Sequence, residues 1–189
     1  GELYVLDSVF NDNSSEGNGG AIDDDGTAMS LVNVQMIGNR ARNGGDGGAV
    51  YLRSTGTRYI MNALMTGNRA DSDGGAIYNA GATLRLVHST LHLNRAEIEG
   101  GGLYNDDDTT TNIENSILFD NQAGATGNDI YNDEAVFFPS VRQGDVSLEH
   151  TMYGDVASDV LLPTDGIEDR GGNIKPPPAA ADIFQAPIA

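Results

Sequence analysis

The chain has 189 residues, a formal net charge of −18 and no cysteine, with only ten Lys and Arg against 28 Asp and Glu. Such an acidic balance repels phosphate backbones and excludes nucleic acid as a partner, while the missing cysteines exclude disulfides and thiolate metal sites or nucleophiles. No apolar run is long enough to span a bilayer, so the chain is not expected to insert in a membrane by itself, and its 25 glycines and 6% aromatics suit narrow coils better than a compact α/β enzyme.

From the first residues onward the chain is a repeat. Leu3, Val5 and Phe10 already occupy apolar slots that return down the sequence, so the start reads as a processing point or a fragment boundary. Asn13, Asn39, Asn68, Asn94 and Asn121 mark one beat, and the first glycines of five pairs (Gly19, Gly47, Gly74, Gly100 and Gly127) mark another. Two independent markers with one period near 27 residues and no helical pattern predict an all-β solenoid.

Three apolar columns recur in each coil. Phe10, Met36, Met65, Leu91 and Leu118 stand three places before the Asn marker, and Val5, Leu31, Ile60, Leu86 and Ile113 stand eight places before it. Ile22, Val50, Ile77, Leu103 and Ile130 follow the glycines. Three inward columns per turn predict a three-sided tube of stacked parallel strands about 4.8 Å apart. A second polar row, Asp7, Asn33, Asn62, His88 and Asn115, marks a corner where Asn tolerates left-handed backbone. The Asn rows are expected to form structural amide ladders from coil to coil.

Two further rows carry chemical options. Arg40, Arg69 and Arg95 follow the Asn marker and stack in register, either paired with Asp71, Asp73, Glu97 and Glu99 or free to bind an acidic polysaccharide through bidentate contacts. Asp23, Asp24 and Asp25 in one coil, with Asp106, Asp107 and Asp108 in another and Asp133 at a comparable place, are either solvated loop acids or oxygen ligands for Ca2+. No catalytic cluster stands apart from the repeat, and whether the chain is an enzyme stays open.

Beyond Tyr131 the beat falters. The run Glu149 to Asp155 echoes Glu114 to Asp120 and predicts a sixth coil after an insertion containing Phe137, Phe138 and Pro139, which is expected to cover one end of the tube. The solenoid is therefore expected over residues 1–156. Residues 157–189, with five of the six prolines, are expected to form an extended capping or docking tail.

The motifs Gly19-Gly20-Ala21-Ile22, Gly47-Gly48-Ala49-Val50 and Gly74-Gly75-Ala76-Ile77, with Gly100-Gly101-Gly102-Leu103 as a looser copy and Phe10-Asn11-Asp12-Asn13 as the one full Phe-x-x-Asn, resemble the repeats of polymorphic outer-membrane proteins. The resemblance covers roughly residues 1–132. It implies a right-handed parallel β-helix of five to six coils, like those of the pectin-lyase-like superfamily, displayed outside the cell. Such proteins look like adhesins or display stalks, and others of similar appearance are polysaccharide lyases or hydrolases. The resemblance and the open strand edges together point to an extracellular structural or adhesive protein that stacks head to tail into a filament, with a host surface or a polysaccharide as the other class of partner.

Overall fold

The computed structural model describes residues 1–107 and 109–133 in full. Beyond them it describes Thr151, Gly172 and the segments 136–137, 140–141, 145–149, 152–153, 156–158 and 167–169. The described residues contain strands and turns but no helix. Strands from successive coils pair in parallel, building a β-solenoid of about five turns with three walls.

The first wall is an 11-stranded sheet. It opens with Glu2–Asn11 and Ala28–Ile37 and then continues as paired segments, Thr57–Met61 with Leu64–Thr66, Thr83–Val87 with Thr90–His92, and Thr110–Glu114 with Ile117–Phe119. A corner folds this wall in two. Asp7, Asn33, Asn62, His88 and Asn115 sit at that corner with φ between 47° and 55°, the left-handed region that Asn and Asp enter most readily among residues with a Cβ. The second wall stacks the short strands Ser14–Ser15, Arg40–Ala41, Arg69–Ala70 and Arg95–Ala96. The third is six-stranded and runs from Ile22–Asp24 through Val50–Leu52, Ile77–Asn79, Leu103–Asn105 and Ile130–Asn132 to Val156–Ser158.

Between the second and third walls the chain turns through the Gly-Gly pairs, and both glycines have a specific task. Gly74 has φ +65°, and a Cβ on Gly75 would lie 2.1 Å from the carbonyl oxygen of Gly101 in the next coil. The first glycine makes the turn and the second lets adjacent coils approach at ladder distance.

The three expected columns face inward. Leu31, Ile60, Leu86 and Ile113 stack in register, as do Met36, Met65, Leu91 and Leu118, and Val50, Ile77, Leu103 and Ile130; all are fully buried. Each apolar side chain contributes roughly 1.5–3 kcal/mol on burial, but only with a coil on either side of it. In the outermost coil, Leu3, Val5 and Phe10 are accordingly only partly buried.

The sixth coil pairs as the echo in sequence predicts, with Ile113 opposite Leu148, Glu114 opposite Glu149, and Leu118 opposite Tyr153. The insertion contains an antiparallel pair, Val136–Phe137 with Ser140–Val141. Phe138 and Pro139 lie outside the described residues, as does His150. Of the tail expected over 157–189, only 157–158, Ile167–Asp169 and Gly172 are described, and Ile167–Asp169 pairs in parallel with Asp145–Glu149.

Candidate functional site

The Asn marker row runs as one chain of hydrogen bonds through the molecule. In each of Asn13, Asn39, Asn68 and Asn94, the side-chain Nδ2 and the backbone N–H both donate to Oδ1 of the next marker, with Nδ2–Oδ1 distances of 2.9 Å. The second proton of each buried amide goes to a main-chain carbonyl, Asn39 to Phe10, Asn68 to Met36 and Asn94 to Met65. At the far end the Asn121 amide donates to the carboxylate of Asp129 at 2.7 Å. Every amide points its N–H the same way, so the row has a positive end, and a buried carboxylate stands there.

Arg40 and Arg69 are register partners in the second wall, as are Arg69 and Arg95. The three guanidiniums do not stand as free cations. Arg40 bonds Asp71 at 2.8 Å, Arg69 bonds Glu97, and Arg95 lies 3.5 Å from the same Glu97 and 3.4 Å from the Gln122 side-chain oxygen. Interleaved carboxylates offset the repulsion between like charges one coil apart.

The expected acidic edge divides into parts with different partners. Asp23 takes a bidentate contact from Arg53, and Asp25 accepts from the Ser54 hydroxyl. Asp24 points into the tube and bonds Arg58 at 2.5 Å, where both residues are at most 5% exposed. Arg58 also donates to the carbonyls of Gly26, Thr27, Ser54 and Thr55, so this buried pair is fully engaged. Farther along, one oxygen each from Asp106, Asp107 and Asp133 lies within 4.8 Å of the others. The geometry therefore joins Asp106 and Asp107 to Asp133 and leaves Asp23, Asp24 and Asp25 with separate partners, while Asp108 lies outside the described residues.

The outer side of the third wall carries an aromatic ladder. Tyr51, Tyr78, Tyr104 and Tyr131 stack with centroids 5.1, 4.6 and 5.1 Å apart, and the Arg53 guanidinium lies 5.1 Å over the Tyr51 ring. The Tyr78 phenol donates to Asp106 and the Tyr104 phenol to Asp133. Burial first, and these carboxylates second, push both phenols far above their ordinary range, so they remain protonated donors.

At the corner of the first wall a groove of about 330 Å³ runs along the stack. Asn33, Asn62 and His88 form one rim, Gln35, Leu64 and Thr90 the other, and the small side chains of Val34 and Ala63 the floor.

The family model for the Chlamydia polymorphic membrane protein repeat matches the chain at residues 7–23 and 62–80. Those stretches hold a corner residue, an Asn marker and a Gly-Gly-Ala-Ile motif each, and they adopt the same coil geometry here. The chain is a polymorphic-membrane-protein-like β-helix. No curated protein and no solved structure matches it.

In this polymorphic-membrane-protein-like β-helix, several structurally decisive residues escaped the reading of the sequence. The tyrosine column has a clear signal, one Tyr after each third-wall apolar residue from the second coil on. The Asn79, Asn105 and Asn132 side chains form a second internal ladder one residue past that column, at 3.1 and 2.8 Å. Asp129 gave no signal, because it replaces the next marker from only eight residues downstream of Asn121. Arg58 sits in an inward slot that Met29, Leu84 and Thr111 fill in neighbouring coils, so the repeat itself concealed it.

Proposed function

We propose that the chain is a surface-exposed structural and adhesive β-helix at the outer membrane or cell surface, and that its outermost coil associates end to end with another copy. The observation that carries the reading is the state of that coil. Glu2–Asn11 pairs on one side only, with Ala28–Ile37; Leu3, Val5 and Phe10 cover the core only in part; and the Asn13 side-chain oxygen, the acceptor end of the marker row, has no partner among the described residues. A free strand edge beside exposed core and an open amide row is a template for one more parallel coil. The same face would seat a preceding coil of a longer chain. The repeat match supports location, since the family it describes is one of membrane proteins.

Negative-stain electron microscopy with sedimentation velocity tests the reading. Rods that lengthen with concentration, and cease to do so in Val5→Lys/Phe10→Lys, are the expected outcome. Single short rods at every concentration would sink the stacking half of it.

A further inference from the structure

The corner groove has a composition unlike the rest of this molecule. In a chain of net charge −18, no Asp, Glu, Lys or Arg lines it. Apart from Leu64, its rims are polar, built from the amides of Asn33, Asn62 and Gln35, the imidazole of His88 and the hydroxyl of Thr90. Their hydrogen-bonding capacity is largely unspent. Asn62 donates to Asn33, and Asn33 to Asp7, but among the described residues the side chains of Gln35, His88 and Thr90 have no hydrogen-bond partner, and the Asn62 side-chain oxygen accepts from none. Amide, imidazole and hydroxyl groups together offer both donors and acceptors on one line.

The backbone cannot supply the recognition. Leu64–Thr66, which meets the groove at Leu64, is paired on both edges, with Ala28–Ile37 and with Thr90–His92, so its edges are not open to an added peptide strand. The groove also runs across the strands, along the stack, and its rim positions repeat once per coil at about 4.8 Å. That spacing is of the order of one pyranose ring. Left-handed corner backbone at Asn33, Asn62 and His88 fixes where the side chains of that rim leave the wall. The floor of Val34 and Ala63, with the exposed Leu64 beside it, is apolar and suits the C–H face of a sugar.

We propose that this groove binds a neutral oligosaccharide lengthwise, with successive sugar hydroxyls meeting Gln35, Asn62, His88 and Thr90 from successive coils. An acidic glycan is disfavoured by the protein's charge and by the occupation of the Arg40, Arg69 and Arg95 row by carboxylates. The site lies on the side of the rod, so it goes beyond the stacking reading and stands or falls apart from it.

The test titrates the ¹⁵N-labelled full chain with short neutral gluco-, manno-, galacto- and N-acetylglucosamine oligosaccharides, with oligogalacturonate, and with an uncharged extended peptide. The expected result is that a neutral oligosaccharide moves the amide signals of 33–35, 62–64 and 88–90, and that Gln35→Ala/Thr90→Ala weakens its binding about tenfold or more while the melting temperature holds. The proposal is overturned if no neutral oligosaccharide binds at millimolar concentration, if the shifts map elsewhere, if the double variant binds as tightly as the parent, or if the acidic glycan or the peptide binds more tightly. Loss of stacking with binding intact would count against the assembly reading alone.

Discussion

A buried asparagine in this solenoid is worth more than its own hydrogen bonds, because its neighbours have no other partner. Replacing Asn68 with Ala leaves the Asn39 backbone N–H and one Nδ2 proton without an acceptor, and the Met36 carbonyl without its donor. At about 1–3 kcal/mol for each unsatisfied buried group, Asn68→Ala is expected to cost about 3 kcal/mol or more. Asn13→Ala, at the exposed end of the same row, should cost about 1 kcal/mol; urea denaturation of the two variants checks the contrast. A different column, Asn18, Asp46, Asp73 and Glu99, gives a pH prediction. The Asn18, Asp46 and Asp73 side chains each accept the backbone N–H of the next member, and burial, with Asp46 and Asp133 nearby, pushes the Asp73 carboxyl above its ordinary value. A raised folded-state value means that Asp73 favours folding below its unfolded value, about 4, and weakens it as pH rises through the folded one. Asp73→Asn keeps the acceptor, as Asn18 does in its own coil, so it should raise the urea midpoint at neutral pH and lose that advantage near pH 3.5. Asp71 runs the other way. Its bond from Arg40 holds it below the usual range, so its contribution is present above about pH 4 and fades as acid protonates it.

At the scale of a coil, repetition decides what a sequence discloses. The marker asparagines and three apolar columns were legible because each slot holds the same chemistry in coil after coil, and stacked strands demand that. Arg58 and Asp24 were not, since each breaks its column: Asp24 pairs across the wall with Leu52, and Arg58 stands opposite Met29 and Leu84. Reading by columns treats such residues as noise, whereas the fold turns them into an internal ion pair. Arg58→Leu alone should therefore destabilise by about 3–5 kcal/mol, because it strands the Asp24 carboxylate in the core. Asp24→Leu/Arg58→Met copies the residues already present in adjacent coils, and it should recover roughly half or more of that loss. A double-mutant cycle measured by thermal unfolding decides it. If the double variant were as unstable as the single one, the carbonyls of Gly26 and Thr27, and not Asp24, would be what Arg58 chiefly serves.

Across the whole molecule, short-range order and long-range charge act on assembly in opposite directions. Stacking another coil on Glu2–Asn11 would add backbone hydrogen bonds and cover Leu3, Val5 and Phe10, an attraction confined to a few ångströms of contact. Two copies bringing −18 each repel over a far longer range, one set by the Debye length, roughly 10 Å at 0.1 M salt and about 30 Å at 0.01 M. Net charge could be read from composition, and so could the coil character of Glu2–Asn11 from the repeat phase. The corner groove could not: the row of Asn33, Asn62 and His88 marks the corner and its left-handed backbone in sequence, but nothing there says that Gln35, Leu64 and Thr90 line a groove beside it. Association through the outermost coil should thus strengthen as salt is raised from 0.01 M towards 0.1 M and beyond, the reverse of what a contact made by opposite charges would do. Sedimentation velocity across that series measures it directly. Weakening association with added salt would mean that copies meet through paired charges, with the Arg40, Arg69 and Arg95 face then the surface to mutate, and that the free edge of Glu2–Asn11 is not the contact.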